Sequence, residues 1–136
     1  AIPITEPPMF TDLFARRVFK LAGIYGVLVL APQYLMETGL IPVPPLHLSR
    51  PSDFYGFVGV ALVWQFIFLL IASDPRRYRA LIPLAILEKL AFGIPVFALF
   101  VTGRVGGDVL TFGAIDMILA CLFFMTLDPV GAPIRA

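Results

Sequence analysis

Between Asp53 and Asp74 no residue carries a formal charge, and the run is apolar almost throughout. A helix of about 20 such residues crosses the roughly 30 Å hydrocarbon core of a bilayer. This stretch, 54–72, is accompanied by three of similar character at 17–36, 80–102 and 109–127. Lipid offers the backbone no hydrogen bonds, so a segment crossing it satisfies its own N–H and C=O groups as a helix. Composition points the same way. With 136 residues, 60% hydrophobic and 14% charged, the chain has more apolar side chain than a small water-soluble body can bury. The expected fold is all-α: one integral membrane domain, a four-transmembrane-helix bundle. A net charge of +1 excludes nucleic acid as a partner, and a single cysteine, Cys121, excludes a disulfide scaffold.

The connectors carry helix punctuation. Asp53 and Asp108 stand where N-caps would sit for the second and fourth helices, and Ser73-Asp74-Pro75 reads as a cap with proline in the first turn. Pro83 restarts or kinks the third helix at the membrane surface; Pro32 and Pro95 predict kinks inside the first and third. The outer loop, 37–52, holds Pro42, Pro44, Pro45 and Pro51 and should be extended and stiff. Tyr34, Phe54, Tyr55 and Tyr78 fall near the expected interfaces as anchors, whereas Trp64 lies mid-span beside Gln65. The opening Ala1 is consistent with removal of an initiator methionine, and the first helix does not read as a cleaved signal peptide.

Lysine and arginine placement gives the orientation. Arg16, Arg17, Lys20, Arg76, Arg77, Arg79 and Arg135 fall on one side; only Arg50 and Arg104 fall on the other. Basic residues concentrate on the cytoplasmic side, so both termini are expected there.

Charges inside hydrocarbon cost about 2.5 kcal/mol or more each and demand a reason. Lys20, Glu88, Lys89 and Asp116 qualify, with Gln65 as an uncharged companion. At about 1.5 Å rise per residue, Gln65, Glu88 and Asp116 lie on the order of 10–17 Å deep, so three helices contribute to one polar layer. Lys20 starts shallower, and its long stem can snorkel back to the surface; with it in the layer, two cations and two carboxylates would sum to zero, the cheapest way to keep charge in lipid. One of Glu88 and Lys89 is expected to meet Asp116, the other to face the first or second helix. A structural ion-pair network, a proton or cation relay and a polar headgroup pocket all fit that pattern. Small residues (Gly23, Gly26, Gly56, Gly59, Ala91, Gly93 and Gly113) permit close helix approach.

Metal and haem chemistry has little to work with. One histidine, His47, and one cysteine do not make a zinc or copper ligand set. His47 as an axial ligand to a pigment or haem is the minor reading beside an ordinary surface histidine. No catalytic residue, metal or cofactor is predicted, though a bound lipid, quinone or pigment is compatible with the composition.

The stretches LAGIYGVLVLAPQYLM, FYGFVGVALVWQFIFLLIASDPRRYRALIPLAILEKLAFG and GAIDMILACLFF resemble small, uncharacterised bacterial four-helix membrane proteins, loosely similar to the DoxX-like and BphX-like groups. The resemblance covers about Leu21 to Phe124, with Trp64-Gln65, Asp74-Pro75, Arg79, Glu88-Lys89 and Asp116 as its most recognisable part. It implies a four-helix bundle in the bacterial inner membrane and supplies no reaction. From these residues the first expectation is a non-catalytic accessory subunit that packs on a larger membrane complex or self-associates through its small-residue faces. The second is a small carrier of a proton, cation or amphiphile using Glu88 and Asp116. The third is a membrane enzyme with a lipid- or quinone-like substrate. A polar cavity open sideways to lipid would favour the last; a closed, dry ion-pair network would count against it.

Overall fold

The computed structural model describes residues 9–45 and 47–127, and among them every regular element is helical. Helix α1 is Met9–Leu30, α2 is Pro51–Ser73, α3 is Ile82–Val101 and α4 is Gly107–Met125, with 3-10 turns at Ala31–Leu35 and Arg79–Leu81. Ala1 and Arg135 lie outside the described residues. Of the four helices, α2, α3 (with its leading 3-10 turn) and α4 are long and apolar enough to cross a membrane. Helix α1 falls short because Asp12, Arg16, Arg17 and Lys20 crowd its first half.

Local chemistry sets the boundaries. The α-helical part of α1 stops at Leu30 because Pro32 has no N–H to return to the preceding turn, and the 3-10 turn carries the chain on. Pro51 opens α2 and Pro83 sits in the first turn of α3, positions where a missing N–H costs nothing. Two expected caps are corrected. Asp53 lies inside the first turn of α2, with Oδ2 2.7 Å from Arg50 Nε, and Arg50 is the N-cap residue. Asp108 likewise lies inside the first turn of α4, and Gly106, in extended conformation, precedes the helix. Both aspartates still favour the positive end of the helix dipole. Asp74 ends α2, and its Oδ1 accepts the Arg77 N–H at 3.2 Å. Residues 75–78 form a turn, so α3 proper starts at Ile82.

The helices pair as two antiparallel hairpins. Along α1 and α2 the matched levels are Arg16 with Ser73, Phe19 with Phe68, Gly26 with Gln65, and Tyr34 with Gly59. Arg16 Nη1 donates to the Ser73 carbonyl at 2.7 Å, placing a cation at the negative end of α2. In the second hairpin a Cβ on Gly93 would lie 2.7 Å from Met117 Sδ, and one on Gly113 would lie 2.7 Å from Val96 Cγ1. Glycine at these crossings lets the backbones approach.

Between the hairpins the packing is uneven. At the end holding the start of α1 and the end of α2, Phe19, Phe68 and Phe123 meet at the centre, all fully buried. Phe19 and Phe123 stack at 4.3 Å, and Phe68 meets Phe123 edge-on at 5.1 Å. Val18, Ala22, Ile71, Ile82 and Ala85 complete this core. Toward the other end the hairpins separate.

Candidate functional site

Where the hairpins part, all four helices line a cavity of about 340 Å³. That volume sits at the small end of the roughly 300–1,000 Å³ typical of ligand pockets. Four phenylalanines stand in its walls, Phe54 and Phe57 from α2, Phe92 from α3 and Phe112 from α4, beside the aliphatic Val29, Leu30 and Val109. The charged side chains enter this lining in one region, Glu88 and Lys89 of α3 and Asp116 of α4 together with Gln65 of α2, while Tyr25 and Gln33 of the first hairpin also line the cavity.

Lys89 organises that region. It is 5% exposed, and its Nζ donates to Asp116 Oδ1 at 3.2 Å and lies 3.5 Å from Glu88 Oε2. The same ammonium stands 5.1 Å from the centroid of Phe68, so the aromatic core supplies a π face beneath it. Lys89 thus bends to serve both carboxylates, although Glu88 precedes it on the helix. The contact with Glu88 is an ion pair without hydrogen-bond geometry, and Glu88 Oε2 is left with no hydrogen-bond partner.

Gln65 is 2% exposed. Its Nε2 donates to the Ala61 carbonyl at 2.8 Å, which fixes which end of the amide is oxygen. Its Oε1 has no partner and lies over Gly26, where a Cβ would come within 1.8 Å of it. Glycine at position 26 makes room for this side chain.

Lys20 does not join the group. It lies on the exposed side of α1, one residue from fully buried Phe19, and neither ion pair of Lys89 involves it. The expected neutral quartet is therefore corrected to a trio. Its formal charges, +1 for Lys89 and −1 each for Glu88 and Asp116, sum to −1.

A second depression of about 440 Å³ runs between α2 and α3 on the outer face of the bundle. It shares Phe57, Ala61, Glu88 and Phe92 with the central cavity. Glu88 and Ala61 thus stand between the interior and the side of the bundle. Trp64 lines this groove and packs against Phe68 at 6.3 Å. At the loop end, the rings of Tyr34 and Tyr55 stack at 5.9 Å, and Tyr55 Oη donates to Glu37. His47 is exposed in the loop and does not line the cavity.

Of the polar and aromatic residues lining the cavity, five are not marked by the sequence pattern: Tyr25, Gln33, Phe57, Phe92 and Phe112. Tyr25 had a signal, since it adjoins Gly26 and lies between two glycines that set the α1–α2 crossing. Several small residues are consumed within the chain: Gly23 and Gly26 by Leu69 and Gln65, and Gly93 and Gly113 by the α3–α4 crossing. Among the described residues no group of three or more metal-ligating side chains occurs. No family model, curated protein or solved structure matches the chain.

Proposed function

We propose that this chain is a small multi-pass protein of the bacterial inner membrane that holds an amphiphile between its two helical hairpins, as a carrier or binding protein. The observation that carries this is the cavity itself, an apolar chamber with its charged side chains gathered in one region and a lateral groove beside it. An amphiphile has the matching shape: an apolar body and one polar end. Access from the side, past Glu88 and Ala61, spares such a molecule a passage through water. A membrane enzyme would use the same opening, but Glu88 and Asp116 are both paired with Lys89, which favours binding over acid–base chemistry.

The proposal includes four membrane crossings with both ends in the cytoplasm. Its support is the pairing of α1 with α2, which extends from Arg16 beside Ser73 to Tyr34 beside Gly59. The first hairpin arm is therefore as long as an arm that is apolar enough to span. Arg17 and Lys20 are exposed and can reach the same surface as Arg76, Arg77 and Arg79. The likeness to the DoxX-like and BphX-like groups belongs to the same proposal and rests on the motifs quoted above.

The test is titration of the protein in lipid nanodiscs with octyl-chain amphiphiles, subtracting protein-free discs. Saturable uptake at one site, abolished by Ala61→Phe with helicity retained, is expected. Uptake that never saturates contradicts the proposal.

An accessory subunit is the second reading, favoured by one surface. Gly56 has open space beside it, and Val60 and Val63 follow on the same face of α2 at 64% and 58% exposure. Purification from native membranes without a partner or self-association counts against it.

A further inference from the structure

The chemistry of the polar region says which end group the chamber would take. Two residues that line the chamber carry buried acceptors without a hydrogen bond, Gln65 Oε1 and Glu88 Oε2, the second held only by its 3.5 Å ion pair with Lys89. The cation present is already committed: Lys89 is pinned between Asp116, Glu88 and the Phe68 ring. The formal charge is one negative in excess, in a region where uncompensated charge is expensive. Phe54, Phe57, Phe92 and Phe112 surround the space with aromatic rings, whose faces attract cations. Acceptors without a hydrogen bond, an excess of formal negative charge and aromatic rings in the wall all favour a head that donates hydrogen bonds and carries positive charge.

We infer that the ligand of this cavity is an amphiphile with an ammonium head, seated against Glu88 Oε2 and Gln65 Oε1. This rests on the amphiphile-binding reading above and adds the class of head group. A carboxylate head would face two carboxylates with Lys89 already occupied. A neutral hydroxyl would satisfy one acceptor and leave the charge unbalanced. The ammonium does both, forming the second half of an alternating array in which two cations meet two carboxylates.

The experiment compares octylamine, octanol and octanoate on the full chain in nanodiscs by titration calorimetry, with protein-free discs subtracted for each probe. Octylamine should bind about tenfold or more tightly than octanol, and octanoate more weakly than either. Glu88→Gln should cut the octylamine-over-octanol preference by about tenfold, whereas Asp53→Asn, which removes a carboxylate paired with Arg50 outside the cavity, should leave it unchanged. The wild-type comparison needs no variant, so misfolding of Glu88→Gln would not remove the test. Equal affinity for octylamine and octanol, or preference for octanoate, overturns the ammonium inference while leaving the cavity reading intact. Saturable binding of none of the three overturns both.

Discussion

The two ends of this bundle use the same four helices and many of the same residue types, yet one end is filled and the other hollow. At the filled end Phe19, Phe68 and Phe123 point at one another and close the centre. At the hollow end Phe54, Phe57, Phe92 and Phe112 line the walls, while Gly26 and Ala61 contribute no bulk. Lys89 stands at the boundary, its ammonium over the Phe68 ring and its ion pairs facing the cavity. Phenylalanine content therefore does not decide where a bundle packs; the angular position of each ring around its helix does.

Breaking the boundary should have the largest effect. Lys89→Met leaves Glu88 and Asp116 facing each other without a cation, and loss of one member of a buried ion pair costs roughly 3–5 kcal/mol. Reversible unfolding in mixed micelles would measure it; a loss below 1 kcal/mol, on the order of a surface pair, would mean that the trio is solvated. Phe68→Ala comes next, at about 3 kcal/mol, because the core around it is closed and the void cannot collapse. Phe92→Ala, on the cavity wall, removes a ring of the same size that is already unsupported on one side. Its expected cost is below about 1 kcal/mol, so equal costs for the two phenylalanines would erase the contrast between the ends. Gly26→Ala should act through Gln65, because the added methyl would meet its Cγ at 2.6 Å as well as its amide and the buried side chain must move as a whole. That movement takes Gln65 Oε1 from its place over Gly26 and should weaken octylamine binding in the same titration. Smallest of all, Arg50→Ala breaks an exposed pair with Asp53 and should leave stability unchanged within a few tenths of a kcal/mol.

The sequence made the helices legible because hydropathy runs and prolines act locally. The stop at Pro32 and the openings at Pro51 and Pro83 follow from one missing N–H each. The start of α1 was not legible: residues before Arg17 carry charge and lack a membrane-length apolar run, yet α1 begins at Met9. Depth along a helix could also be counted, which placed Gln65, Glu88 and Asp116 in one layer, and the structure brings all three to one cavity. Azimuth could not be counted. Phe19 and Lys20 are neighbours, but one is fully buried and the other exposed, so of the two readings open for Lys20 the neutral sum fails and the surface-reaching one fits. The cavity was hidden for the same reason, since a void depends on which way Phe57, Phe92 and Gly26 face.

The contrast between the ends can be measured directly with two alanines of similar environment in sequence. In a Cys121→Ser background, Ala61→Cys places a thiol on the cavity wall and Ala85→Cys places one in the closed core, where Ala85 is fully buried. With a small membrane-permeant maleimide, the account predicts labelling at position 61, protection there by octylamine, and no labelling at position 85. Equal labelling at both, or labelling at 61 that octylamine does not slow, would contradict it.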